Sequence, residues 1–430
     1  PDGSVTIMAE GEGSNIKVSG TIEAVSYDNT KNGGSIIIGR DQETGRLAKS
    51  TDVSGATLLT NKGFIETSGH DLKVDGAIVR AANWLLDPDN IEITNGTASA
   101  TYSAISASTL SGALTDGTSI TINTTAVNGT TYNSSFNNGG TGKILVTNAI
   151  TKSTGTGTAS LNLIADDSIT VNNIISATAG NGNLNVNLSA GRTTTTGGIT
   201  INSAGGIDAK AGTVVLQTKG ANITSSATTG IKGGNITLDN RGSTIDTTTG
   251  AVTTAGGANS GSNTSISLSG GGLAATETLY VRGKSTSAAG LSNSGLLQAK
   301  NIDILGTSIS GANAVLLNGG TSIVTLTGGG ASSIQGTAGG IATTAALLAG
   351  GVQTYTAATG TSLTLWGEAT GSAATAYYNT RGLRVTDGPQ VTTDGAVTLK
   401  GTSKSSDGLL LIHTGGFFKA NSGTLTLEGT

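Results

Sequence analysis

Short bursts in which every second side chain is aliphatic recur along this chain, and they restrict its fold more than any other feature. They read "SVTIMA", "NIKVSG", "SIIIG", "SITINT", "KILVTN", "LNLIAD", "SITVNN", "NLNVNLS", "GITINS", "TVVLQT", "NITLDN", "SISLSG", "NIDILG", "SIVTLT", "SLTLWG" and "AVTLKG". In each, Val, Ile or Leu alternates with Ser, Thr or Asn, the two-residue period of a strand with one buried face. Between them stand "GG", "NG", "AGNG" and "GGG", residues that supply turns with φ > 0. No stretch holds a 3.6-residue apolar period over about 11 residues, so the sequence predicts an all-β chain without helix.

Many short strands fit a sandwich, a propeller or a solenoid. A sandwich of this size fills its core with large residues and turns Pro-rich corners; here aromatics are 3% and there are 3 Pro in 430 residues. A narrow β-helical core takes small β-branched residues and Ala instead. Glycine at 68 of 430 raises the alternative of a disordered linker, but the apolar residues are patterned rather than scattered. Between Leu161 and Leu238 the strands centre near 163, 170, 186, 200, 215 and 237. That spacing predicts a solenoid of about 20 residues per coil, with a structural repeat and no clean sequence repeat. Coils stacked about 4.8 Å apart would make an elongated rod on the order of 100 Å long. Uncapped ends of such a rod invite end-to-end self-association.

Charge divides the chain. Residues 1–92 hold 8 Lys/Arg and 14 Asp/Glu, and the remaining 338 residues hold only 28 of the 50 charges. The predicted blocks are a charged one, 1–94, and a low-complexity Gly/Ser/Thr/Asn-rich one, 95–430, with loop excursions. A net charge of −4 without a basic run excludes nucleic acid as a partner class. There is no cysteine, hence no disulfide framework or thiolate metal site. No apolar run approaches the roughly 20 residues of a membrane helix. Both termini interrupt the pattern, so the chain is read as a segment of something longer.

Catalytic, cofactor and metal chemistry is thin, and no residue is assigned to any of the three. His70 lies in a predicted turn and His413 at a strand end, more than 300 residues apart and outside any HExxH pattern. "GKS" at Gly283 to Ser285 resembles the tail of a phosphate loop, but Thr278 stands where that loop needs glycine; a turn with a surface lysine is expected. "DPDN" (Asp87, Asp89, Asn90) and "ADDS" (Asp166, Asp167) offer oxygens to calcium, yet read better as structural turns. "AYYNTRGLRVTDGP" gathers Tyr377, Tyr378, Arg381, Arg384 and Asp387 and is the candidate ligand loop, for a glycan, against the plainer reading of a loop packed on the flank. Eight Asn-x-Ser/Thr sequons occur, four of them between Asn95 and Asn133, the least strand-like part. "AANWLLDPDNIEIT" places Trp84, Asp87, Pro88 and Asp89 together. Pro88 lacks the N–H that a strand needs, so this stretch is expected to be a structural junction, with Trp84 covering apolar surface beside the break.

Gly33 to Thr94, with its "GGSIIIGRD" strand and turn, "ETSGHDLKVDG" and "WLLDPDNIEI", resembles a block of the large exoproteins of two-partner secretion, the filamentous-haemagglutinin-like and high-molecular-weight adhesins. The resemblance covers about 60 residues closely and the remainder only in style. It implies a right-handed parallel β-helix, export through an outer-membrane transporter that recognises a region not in this segment, and a secreted or bacterial cell-surface location. It further implies a non-enzymatic adhesin or fibre role: cell adhesion, biofilm cohesion or an extracellular filament, with host or bacterial surface glycans as candidate partners. The alternatives are a carbohydrate-active β-helix enzyme and the stalk of a contact-dependent toxin.

Overall fold

The computed structural model describes the chain apart from residues 1–2, 10–12, 29–30, 100–101, 125–140, 156, 179, 181, 193–196, 246–251, 256–263, 312, 319–322, 341–344, 351–353, 359, 372–380, 387–389, 405, 413–416 and 421–422. The fold is a parallel β-helix. Its main sheets have 15, 12 and 10 strands, and in the first each strand pairs with its counterparts in the adjacent coils. Every burst quoted above carries a strand, from Ser4–Ile7 to Ala396–Ser403. Two compact units divide the chain: residues 1–197 with 208–212 and 247–250, and residues 198–207 with 213–246 and 251–430. The compositional boundary at Thr94 falls inside the first.

In the first unit the early coils each hold three strands, for example Phe64–Ser68, Asp71–Lys73 and Ile78–Arg80. The alternation seen in the sequence becomes a column inside. Ile36, Ile65, Trp84, Ile120, Leu161 and Val186 lie one above another in successive strands of the first sheet, all buried. Each such aliphatic side chain is worth about 1.5–3 kcal/mol relative to exposure. Trp84 is wholly buried within this core, in the strand that ends beside the Pro88 turn. Its Nε1 donates to Thr67 Oγ1 at 3.0 Å, a hydroxyl also buried in the core.

Among the described residues one coil breaks the all-strand pattern, and here the expectation of no helix fails. Ala107–Thr115 is an α-helix, capped by Ser106, whose side chain accepts the Thr109 N–H. Ala107, Leu110, Ala113 and Leu114 turn inward at helical spacing. Flanking edges explain why a helix can stand among strands: its hydroxyls satisfy them. Thr109 Oγ1 accepts the Gly76 N–H at 2.9 Å. Just beyond the helix, Thr118 Oγ1 accepts the Ala81 N–H at 3.1 Å and donates to Val79 O at 3.3 Å. On the other side Ser111 Oγ accepts the Thr151 N–H at 3.0 Å, and Thr115 Oγ1 the Ser153 N–H at 3.1 Å. Backbone groups left without a strand neighbour thus find side-chain partners.

A helix is about 10 Å broad, twice the spacing of strands. The same coil correspondingly places two strands, not one, in the second sheet. They are out of sequence order: Ser103–Ile105 comes first in space, then Ile91–Ile93, then Ile144–Val146.

The second unit carries a column that the sequence reading missed. Gly283, Gly306, Gly336, Gly367, Gly401 and Gly429 are in register across successive first-sheet strands. A methyl group on Gly367 would lie 2.0 Å from Gly382 O, and one on Gly401 1.8 Å from Gly408 O. The glycines let the first-sheet backbone pass against the backbone entering the second sheet. Two residues on, Ser285, Ser308, Ala338, Ala369 and Ser403 form a parallel column of small side chains. The "GKS" triplet is one line of this array, ending the strand Thr278–Ser285; it is neither a phosphate loop nor the expected turn.

Coil length departs from the expected 20 residues. Phe64 pairs with Asn83, a step of 19 residues, but Thr278 pairs with Asn301, a step of 23, and Ile236 with Leu279, a step of 43. Three strands with their turns fill the shortest coil, and excursions lengthen the others.

Candidate functional site

Several charged side chains gather at a corner of the first unit, where strands of the first sheet end and the chain turns toward the next sheet. Three turns stack there. Gly39 begins one with φ of 89°, and a Cβ at that position would meet Ser68 O of the next coil at 1.9 Å; only glycine lets the two turns nest. Arg40 follows, and its Nη1 lies 3.4 Å from both Glu66 Oε1 and Asp87 Oδ2, carboxylates from the next two coils. Ser68 Oγ donates to Glu66 Oε1 at 2.8 Å. One guanidinium thus serves two nearly buried acids.

Beside it, His70 Nδ1 and Asp89 Oδ1 are 2.8 Å apart, with both side chains largely buried. Asn90 Oδ1 accepts the Lys143 N–H at 2.8 Å. Asp87 ends the strand Asn83–Asp87, Pro88 to Asn90 make the turn, and Ile91–Ile93 resumes the ladder. The "DPDN" stretch is a corner whose polar side chains reach the coils on either side.

A His–Asp pair invites a test for nucleophilic catalysis. The hydroxyl that reaches this turn, Ser103 Oγ, accepts the Leu72 N–H at 3.2 Å and donates to the His70 carbonyl at 3.4 Å. It is committed to backbone and aimed at no imidazole nitrogen. Among the described residues, no group of three or more His, Asp or Glu side chains is placed to hold a metal ion. His413 lies outside the described residues.

The same corner motif recurs farther along the first unit. Arg192 pairs with the buried Asp166, donates to Asn123 Oδ1 at 2.7 Å and to Thr124 O at 2.9 Å, again spanning three turns. "ADDS" is accordingly a structural turn. In the second unit Arg241 and Asp239 pair at 2.7 Å, and this hydrogen bond raises the guanidinium above its ordinary pKa. Asp41, in the exposed "GRDQETG" turn, is held below the usual carboxylate range by the Thr44 hydroxyl and the Glu43 N–H.

Two of the five residues of the candidate ligand loop are among the described residues. Arg381 and Arg384 lie in a strand, Arg381–Val385, inserted between Ala345–Ala349 and Leu409–Leu411. Arg381 Nε pairs with Asp407 Oδ2 at 3.1 Å, and Arg384 stands between Leu348 and Leu410. This part of the stretch is a rung of the second sheet; Tyr377, Tyr378 and Asp387 lie outside the described residues. A groove of about 220 Å³ runs between the helix and the Gly76–Val79 turn, lined by Ile78, Ser108, Gly112 and Asp116 among others. That is below the 300–1,000 Å³ typical of small-molecule sites. Of the sequons, Asn95 accepts from the Ser108 N–H at 2.9 Å and Asn123 holds Arg192, so both side chains are engaged within the fold.

Sequence reasoning found the acids and the proline of the corner but not Arg40, Glu66 or Arg192. Their partners lie one or two coils away, and nothing in the local pattern signals such pairs. No protein-family model matches the chain, and no curated protein matches it.

Proposed function

We propose that this chain is a non-enzymatic structural segment of a secreted bacterial surface adhesin or fibre, exported by two-partner secretion. The observation that supports this reading best is how the polar clusters are used. Arg40, Glu66, Asp87 and Asp89 at one corner, and Asn123, Asp166 and Arg192 at another, join one coil to the next. Their hydrogen bonds are directed at neighbouring coils, as a scaffold requires. The resemblance of Gly33 to Thr94 to exoprotein blocks supports the export route, and a sheet surface of Ser, Thr and Asn suits a location in water. Adhesion partners on this reading are surface glycans of host or bacterial cells. The test is binding of beads coated with residues 1–430 to host cells, to bacteria and to a glycan panel, against beads carrying an unrelated protein. Saturable binding to any of them supports the adhesin role. Binding to none would overturn it and leave a spacer.

A further inference from the structure

We infer that the exchanged strand order around Ile91–Ile93 is a directional mechanical stop, which arrests unravelling that arrives from the N-terminal side. This inference is independent of any adhesive role.

Consider force peeling the chain from its beginning. Each strand of the first sheet has lost its preceding neighbour by the time it bears load, so it leaves by breaking one ladder. Phe64–Ser68 leaves from Asn83–Asp87, and Asn83–Asp87 then leaves from Ser119–Thr124. The next strand in sequence is different. Ile91–Ile93 is interior, paired on one side with Ser103–Ile105 and on the other with Ile144–Val146, and both neighbours come later in the chain. It must be drawn from between two intact partners. On one side the Ser103 N–H donates to Asn90 O at 3.0 Å and the Thr94 N–H to Ile105 O at 2.8 Å. On the other the Ile91 N–H donates to Lys143 O at 2.9 Å and the Thr147 N–H to Ile93 O at 3.0 Å. Glu92 adds a clamp: one carboxylate oxygen accepts the Ser99 N–H at 2.8 Å, the other the Thr147 hydroxyl at 3.0 Å.

Approach from the other side meets less. Once Ile144–Val146 has gone, Ser103–Ile105 is the strand to be extracted. It holds one ladder, to Ile91–Ile93, and only the Ser103 hydroxyl bonds toward Asp71–Lys73. Resistance is therefore greater for peeling from the N-terminal side. Release is also abrupt. When Ile91–Ile93 leaves, Ser103–Ile105 has lost its ladder partner and follows at once, up to the helix, which Thr151 and Ser153 of the next coil still hold through Ser111 and Thr115. Residues 91–106 come free together, roughly 55 Å of extended chain.

The chain has no cysteine, so thiol handles can be placed without background. Single molecules carrying Gly3→Cys and Ser160→Cys are pulled, and the measurement is repeated with Ser176→Cys in place of Ser160→Cys, so that one disturbed handle strand does not decide the result. Expected is a pause after roughly 300 Å of chain has been released, at least about tenfold longer than the pauses of earlier coils because two sets of ladder bonds must fail together. A single step of roughly 55 Å should follow. Departure of Ile91–Ile93 with the lifetime of the preceding coils, or release of 91–94 and 95–106 as separate steps, would overturn the inference.

Discussion

Replacing Thr118 by valine tests whether side-chain hydroxyls close the strand edges that the helix leaves open. Valine keeps the branched shape and removes only the hydroxyl, so packing changes little. Thr118 is fully buried, and its Oγ1 accepts from Ala81 and donates to Val79 O. Its loss leaves one N–H and one carbonyl of the Ile78–Arg80 edge without a protein partner. Each such group costs about 1–3 kcal/mol when buried. Ala81 is half-buried and water reaches part of this edge, so the lower part of the range applies to each, about 2–4 kcal/mol together. Stacked-coil proteins open locally and not all at once, so the assay is amide exchange at Ala81 and its neighbours. At about 1.4 kcal/mol per tenfold, exchange there should accelerate roughly 30- to 1,000-fold. Thr121→Val is the control: its hydroxyl accepts from Asn162 Nδ2 at 3.1 Å on the half-exposed face of the same sheet, and its cost should stay within about 1 kcal/mol. Exchange at Ala81 within threefold of the parent, or an equal effect from Thr121→Val, would refute the idea that the helix is tolerated because its hydroxyls replace a strand.

Gly367→Ala should destabilise the second unit by about 3 kcal/mol or more, because the added methyl meets a backbone oxygen that cannot yield without moving a rung. Gly112→Ala, in the helix with nothing within 4 Å of the new methyl, should instead stabilise by up to about 1 kcal/mol; urea midpoints compare the two. Lys152 is almost wholly buried, its Nζ donating to the carbonyls of Thr154 and Gly155 at 3.0 and 2.9 Å, and burial lowers its pKa from 10.5. Between the lowered value and 10.5 the unfolded chain holds more protons than the folded one, so stability rises with pH across that window and is level below it. The stability difference between the parent and Lys152→Met, followed from pH 8 to 11, should rise as the pH approaches 10.5 and level off above it; a flat difference would show that burial does not oppose the charge.

Strand content was legible because one period governs every coil. "NLNVNLS" and "SLTLWG" leave no other reading, and both are strands, Leu184–Ala190 and Thr361–Ala369. The helix was not legible, since "ASTLSGALT" is short and built from the same residues as its strand neighbours; what selects it is the pair of edges it can satisfy. The glycine column was present in the text as "LYVRGKS", "IDILGTS", "SSIQGTA", "LTLWGEA" and "VTLKGTS". Unequal spacing between these lines hides it from any search for a fixed period. Pro88 marked its turn correctly, but Arg40 could not be assigned to Glu66 and Asp87, because sequence distance says nothing about which corners stack.

The unequal coils have a consequence for how such a chain can change. Rise along the stack is set by strand pairing, about 4.8 Å per coil, whether a coil uses 19 residues, as from Phe64 to Asn83, or 43, as from Ile236 to Leu279. A residue inserted at a corner adds surface and no height. New loops can accordingly be tried at corners that carry no bonds between coils, unlike those of Arg40 and Arg192, without disturbing the coils above and below. Inside the strands no such freedom exists, for a single insertion would turn every following side chain of that strand to the wrong face.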